Sequence, residues 1–229
     1  MKQILFLGMA LMLAFSAYAQ NNVTQFMGIP IDGTKTAMIQ KLKAKGFSYD
    51  AKEDILSGQF NGRSVNLLIV TNNNKVYRIV VADAIGSSEG DIKIRFNTLC
   101  NQFEKNGKYL PQNLLGEYSI GEDEDISYDM LVNKKRFQAA YYQITEADQD
   151  TTGAAEWGIN RILDKYGEEK WESMSDDERQ TAVISIAMDF LLEKISHKSV
   201  WFMISEQFGR YYINIFYDNE KNQANGEDL

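Results

Sequence analysis

The sequence has only one cysteine, one histidine and two prolines among its 229 residues. A single cysteine excludes an intramolecular disulfide, so the fold must be stabilised by packing. Cys100 and His197 together cannot supply the ligands of a structural zinc site, and we expect neither a metal nor a cofactor. Two prolines and the lack of a low-complexity tract leave no obvious linker between domains.

The parts needed for nucleophilic catalysis are also scarce. A serine or cysteine nucleophile needs a nearby base, most often histidine. Cys100 lies beside Leu99 and Phe103 in a predicted helix, which is the setting of a buried structural thiol. His197 follows the last predicted helix, where a histidine can bind the final carbonyl groups. We therefore expect a protein that is not an enzyme.

Positive charge is in the minority, with 24 Lys and Arg against 32 Asp and Glu, and the formal net charge is −8. An acidic protein repels phosphate backbones and anionic lipids, which argues against nucleic acid or a membrane surface as a partner. The acidic segments 122–125 and 218–228 keep calcium binding open. However, Gln223 stands where an EF-hand loop requires glycine, and a solvated turn and a frayed tail are the preferred interpretation.

A long apolar run occurs only at the N-terminus, in MKQILFLGMALMLAFSAYAQ. Lys2 precedes the apolar segment 4–15, and Ala17 and Ala19 are the small residues that signal peptidase requires. The run is shorter than the ~20 residues that span a bilayer. We therefore predict a signal peptide, 1–19, cleaved after Ala19, and an exported protein in the periplasm or outside the cell. No later segment is predicted to span a membrane.

The segment 55–83, ILSGQFNGRSVNLLIVTNNNKVYRIVVAD, predicts three antiparallel strands joined by two tight turns. Asn61-Gly62 favours a type I′ turn because both residues adopt positive φ at little cost, and 72–74 favours the second reversal. Successive side chains alternate between two faces of a strand. The apolar face is predicted to carry Val65, Leu67, Ile69, Tyr77, Ile79 and Val81. The mixed face is predicted to carry Asn66, Leu68, Val70, Val76, Arg78 and Val80.

Two later segments repeat this pattern. They are 130–142, MLVNKKRFQAAYY, and 202–218, FMISEQFGRYYINIFYD. Each contains an apolar run, a short polar turn, a basic residue and an alternating, aromatic-rich run, so we predict a hairpin in each. The three segments are either an internal repeat or independent antiparallel hairpins, and both interpretations stay open.

Four segments have the spacing of amphipathic helices with start and stop signals. They run from about residue 34 to 46, 88 to 107, 152 to 167 and 175 to 195. The element order predicts an α+β fold, an antiparallel sheet built from helix-plus-hairpin units with the helices packed on one face. The predicted units are 20–112 and 113–229, the second with a helix pair and a C-terminal hairpin; a single continuous domain, 20–229, is the alternative.

Three stretches of this sequence carry a resemblance. The lead-in FMGIPIDGTKTAMIQKLKAKGF, the strand NNNKVYRIVV and the ending YYINIFYDNEKNQANGEDL resemble a group of uncharacterised exported proteins of Bacteroides-type bacteria. The element order is similar to that of β-lactamase-inhibitor-like and PepSY-like secreted domains. The second resemblance implies a binding or inhibitory module and brings no motif whose functional residues could be transferred.

The mixed face is the candidate site, because it combines aromatic rings with hydrogen-bonding groups. Its proposed partner-binding residues are Asn66, Arg78, Gln138, Tyr142, Tyr212, Asn214 and Phe216. Recognition surfaces are enriched in such side chains. We predict an exported, non-catalytic binding or inhibitor-like module with an unknown protein or glycan as partner.

Three alternatives to this reading stay open. In the first alternative the mixed face binds no partner, and it is the solvated side of the sheet or packs on the other predicted unit. A carboxylate-dependent hydrolase acting on glycan or peptide would instead place a carboxylate pair of raised pKa in a cleft. A structural envelope protein would expose a large apolar surface for self-association.

Overall fold

The computed structural model describes residues 22–114, 116–224 and 226. The predicted signal peptide lies outside the described residues. The chain forms two compact units, of which the second, Thr145–Ser196, is inserted into the sequence of the first. Both predicted units, 20–112 and 113–229, contribute strands to the first compact unit, and their boundary stays a prediction.

The first unit is built on an eight-stranded antiparallel sheet, which confirms the α+β prediction. Its strands are β3 (Ser48–Asp50), β4 (Ile55–Phe60), β5 (Arg63–Asn72), β6 (Lys75–Asp83), β7 (Tyr109–Pro111), β8 (Gln138–Gln143), β9 (Lys198–Gln207) and β10 (Arg210–Asn219). They are ordered β3-β4-β5-β6-β10-β9-β8-β7. A separate two-stranded ladder joins β1 (Gln25–Phe26) to β2 (Ile29–Pro30).

Three helices of the first unit are α1 (Lys35–Ala44), α2 (Glu89–Lys105) and α3 (Ile126–Leu131), and a 3₁₀ helix spans Glu220–Asn222. The Thr34 hydroxyl accepts a hydrogen bond from the Ala37 amide at the start of α1. Ser88 does the same for Asp91 at the start of α2. Each cap satisfies an amide that has no partner within its helix, so these two predicted starts are confirmed.

The core lies between the sheet and the helices. Leu67, Ile79 and Ile213, from three neighbouring strands, are fully buried on one face of the sheet. Phe96 of α2 packs edge-on against Phe202 of β9, with ring centroids 5.1 Å apart. One face of the sheet is therefore shielded by helices, as the alternating pattern predicts.

The inserted unit is helical. It contains a 3₁₀ helix (Glu146–Gln149), α4 (Ala154–Tyr166), α5 (Glu168–Ser173) and α6 (Asp176–Ile195). Ser175 and Glu178 form the predicted capping box, because each side chain accepts a hydrogen bond from the other residue's backbone amide. The break at Gly167, which has a positive φ of 72°, separates α4 from α5.

The predicted side-chain assignment is wrong at the start of β6. Val70 pairs with Arg78, but the next residue, Thr71, pairs with Val76, so Tyr77 is an extra residue in the ladder. This β-bulge reverses the alternation on one side of it. Val76 is therefore fully buried in the core, while Tyr77 is only half-buried.

The hairpin predicted over 130–142 is also wrong. Residues Ile126–Leu131 form α3, because the Asp125 carboxylate accepts a hydrogen bond from the Tyr128 amide and starts a helix. Between Pro111 and Gln138 the described residues contain no strand. The neighbours of β8 in the sheet are instead β7 and β9.

Candidate functional site

Three rows of paired residues cross the sheet on the face away from the core. The first row is Asn66, Ala82, Asn214, Met203 and Gln138. The second row is Leu68, Val80, Phe216, Trp201 and Ala140. The third row is Val70, Arg78, Asp218, Ser199 and Tyr142. Tyr212 pairs with Ser205 beside the first row.

Directly paired residues of a sheet lie on the same face, so the structure places all seven predicted site residues on one surface. We call these three rows, with Tyr212 and Ser205, the mixed face. Gln138 is exposed, and the other six predicted residues are half-buried. Their sequence neighbours Ile213 and Ile215 point the other way and are buried.

A bidentate ion pair lies in the third row. Arg78 donates from Nε and Nη2 to the two carboxylate oxygens of Asp218, at 2.6 and 2.7 Å. The Trp201 indole Nε1 donates to the same carboxylate at 3.0 Å. The hydrogen bond to Asp218 raises the pKa of Arg78 above its ordinary value. Because Asp218 is buried and each oxygen has a donor, the pair presents little net charge to a partner.

A flat aromatic pair adjoins this ion pair. The rings of Trp201 and Phe216 are stacked at 3.9 Å between centroids, with an angle of 11° between their planes. The Arg78 guanidinium carbon lies 5.2 Å from the centroid of Phe216 and 5.7 Å from that of Trp201. Cation–π attraction and the indole hydrogen bond therefore hold both rings in place before any partner binds.

Several polar groups of the mixed face are already paired. Asn214 donates to the Ser205 hydroxyl at 2.8 Å, and Asn66 accepts from the Ser57 hydroxyl at 2.9 Å. Among the described residues, by contrast, the side chains of Gln138, Tyr142 and Tyr212 form no hydrogen bond. These three side chains are the donors and acceptors that remain available to a ligand.

Trp201, Met203 and Asp218 are among the members of the rows that sequence reasoning missed. A signal for them was present, since Asp218 follows Phe216 at the same period of two. On the neighbouring strand, Trp201 and Met203 lie four and two residues before Ser205, so all three side chains point to the same face. Extending the alternation to the ends of both strands would have included all three residues.

The groups considered for catalysis and metal binding have structural partners. Cys100 is buried in α2, and this burial raises the pKa of its thiol to about 12. His197 donates from Nε2 to the Asn22 carbonyl oxygen at 2.9 Å. The acidic segment 122–125 is bound by Lys93, whose ammonium group donates to the backbone carbonyls of Glu122 and Glu124. No group of three or more His, Cys, Asp or Glu in the described ranges is arranged to hold a metal ion.

Two adjoining cavities lie beside α2, on the core side of the sheet, and were not predicted. One, of about 300 Å³, is lined by Arg63 and Arg95 among others, and the next, of about 250 Å³, by Phe60 and Tyr109 among others. Asn61 donates to Gln102 at 2.9 Å, and both residues line both cavities. Arg95 is bound by Asp83, with Nη2 and Oδ1 2.6 Å apart.

The fold and the mixed face define an α+β protein whose antiparallel sheet presents aromatic and amide side chains opposite its helices. No family model, curated protein or solved structure matches the chain. Within the described ranges, no helix combines the length and the apolar composition needed to cross a bilayer.

Proposed function

We propose that this protein is an exported, non-catalytic binding module that holds its partner on the mixed face. The observation that carries the proposal is the arrangement of aromatic and amide side chains in three aligned rows, fixed by the Arg78–Asp218 pair. Preorganised side chains lose little conformational entropy on binding.

The chemistry of the mixed face favours an uncharged glycan over a protein. Its available polar groups, on Gln138, Tyr142 and Tyr212, are an amide and two hydroxyls, each able to donate and accept, as sugar hydroxyls do. The edges and outer faces of the stacked Trp201 and Phe216 rings supply apolar area for the C–H groups of a sugar ring. The only ion pair within the three rows is already closed, so a charged partner would find no free counter-charge among these described residues.

Affinity electrophoresis in gels containing soluble neutral polysaccharides tests this proposal. Gln138→Ala with Tyr142→Ala removes two polar side chains that form no hydrogen bond with the described residues. We expect binding to weaken by about tenfold or more, which corresponds to ~1.4 kcal/mol. The control is Phe208→Ala with Gln149→Ala, two exposed residues outside the mixed face. Equal retardation of both variants, or binding to a purified protein instead, would contradict the glycan assignment.

Export is part of the proposal and rests on the N-terminal sequence. The basic residue, the apolar segment and the Ala17-Tyr18-Ala19 site support cleavage after Ala19. We expect N-terminal sequencing of the protein recovered from the cell envelope or the medium to begin at Gln20. Recovery of an intact N-terminus from the cytoplasm would contradict export.

A further inference from the structure

The inserted unit carries the acidity of the molecule. Between residues 145 and 196 the sequence has thirteen Asp and Glu against five Lys and Arg, a net charge of −8. This equals the net charge of the whole chain, so the remaining residues are balanced. Because this negative charge is concentrated on one unit, that unit attracts positively charged partners more strongly than the rest of the protein does.

The two long helices of this unit pack against each other in antiparallel directions. Trp157, near the start of α4, has its ring centroid 5.1 Å from that of Phe190, near the end of α6. A Cβ at Gly158 would lie 4.0 Å from Ile186, one turn earlier on α6. Near the end of α4, Tyr166 lines a cavity together with Ala182, earlier again on α6. The contacts therefore run in opposite order along the two helices.

The helix pair exposes several large apolar side chains. Ile159 and Leu163 of α4 are 59% and 46% exposed, one turn apart. Val183 and Ile184 of α6 are 48% and 61% exposed. Exposed apolar side chains mark an interaction site only where they lie together, so the relative placement of these residues decides whether they form one.

Three of these residues, Ile159, Leu163 and Val183, lie on the same side of the helix pair. Gly158 faces Ile186 across the crossing, and each is followed by a residue about 100° further round its helix. In antiparallel helices these equal rotations lead to the same side, so Ile159 lies beside Ala187. One turn along, Leu163 lies beside Val183. Ile184, two residues before Ile186, is about 200° round α6, so it faces away from α4 and is not part of the stripe. We call this stripe the apolar groove.

Acidic residues border the apolar groove on both outer edges. Glu156 lies one turn before Ile159 on α4, and Asp176 lies two turns before Val183 on α6. Both acids are exposed. An apolar stripe between two negative edges matches the surface of a helix with one apolar side and basic flanks.

We propose that the apolar groove receives a basic amphipathic helix of a partner protein. An amphipathic helix lays its apolar side in a groove of this kind, and its Lys and Arg then meet the acidic edges. A second copy of this chain would bring acidic edges against acidic edges, which costs binding energy. An anionic lipid surface would meet the same repulsion.

The experiment uses the whole mature chain and two synthetic peptides of about 18 residues, which is about five helical turns. One peptide is an amphipathic helix of leucine and lysine, and the other has glutamate in place of lysine. Calorimetric titration at two salt concentrations measures the binding of each. The variant is Ile159→Ser with Val183→Ser, and the matched control is Leu131→Ser with Ile94→Ser, two apolar residues of the first unit that are at least as exposed.

We expect the lysine peptide to bind saturably, more weakly at high salt, and about tenfold or more weakly to the groove variant than to the control. The glutamate peptide should bind the unmodified protein no more tightly than the lysine peptide binds the groove variant. Equal binding of the lysine peptide to variant and control would overturn the proposal. If sedimentation shows a dimer that only the groove variant loses, the groove binds a second copy of the chain. If the protein binds phosphatidylcholine vesicles and the groove variant does not, the groove binds lipid. Either result also overturns the proposal.

Discussion

Asp218 is the buried charge around which the mixed face is arranged. Its carboxylate accepts two hydrogen bonds from Arg78 and one from Trp201, and its backbone carbonyl accepts one from the Thr24 hydroxyl. Burying a carboxylate costs free energy that only such donors offset. The same residue therefore stabilises the sheet and fixes the rings that the proposed glycan would contact.

Removing Arg78 should destabilise the protein. Arg78→Ala leaves the Asp218 carboxylate buried without its main counter-charge, and breaking a buried pair costs roughly 3–5 kcal/mol. We expect the lower end of that range, since Arg78 is partly exposed. Urea denaturation measures the loss, with the exposed Arg63→Ala as the control. Asp218→Asn added to Arg78→Ala should restore part of the free energy of unfolding; no restoration would mean that the charge itself is unimportant.

The Cys100 thiol should make the protein sensitive to alkali. Burial raises its pKa to about 12, whereas the thiol of an unfolded chain ionises near pH 8.5. Between these values the unfolded state binds fewer protons than the folded state, so the free energy of unfolding falls as pH rises. Thermal melts from pH 8 to about 11 measure this fall. Cys100→Ala should show a shallower decline than the wild type, and parallel curves would contradict the assignment.

At the scale of elements, the structures that the sequence predicts are those with local signals. The Asn61-Gly62 turn, with φ of 49° and 73°, and the capping box at Ser175 each depend on residues within a few positions. The bulge at Tyr77 has no such signal, because a register depends on the neighbouring strand. The apolar residues at the start of 130–142 predicted a strand. Asp125, however, caps a helix over 126–131, and this helix includes the first of those residues.

The capping box gives a prediction for α6. Ser175→Ala removes the hydroxyl that accepts from the Glu178 amide, and loss of an N-cap costs about 1 kcal/mol. The same substitution at Ser196, at the other end of the helix, should change the free energy of unfolding by less than about 0.5 kcal/mol. Far-ultraviolet circular dichroism during urea denaturation measures both. A loss of stability equal in the two variants would mean that the serine does not act as a cap.

For the whole molecule, alternation along the strands predicts which side chains share the mixed face, and it cannot predict how they are bonded. Tyr142 and Tyr212 are 70 positions apart in sequence and lie on one face because both follow the same period of two. The bonds from Arg78 and Trp201 to Asp218 depend on the order of β6, β10 and β9 in the sheet. Neither composition nor spacing within one strand specifies that order.

The two proposed binding functions belong to different units, so they should be separable. Strands β8 and β9 are paired neighbours, with Tyr142 opposite Ser199, and the inserted unit connects their ends. Replacing 146–195 by a short Asn-Gly turn should therefore leave the sheet connected as an ordinary hairpin. We expect this deletion to keep glycan binding on the mixed face and to lose binding of the lysine peptide. The same gel and calorimetric assays measure both, and a folded deletion protein that loses glycan binding as well would show that the mixed face does not act alone.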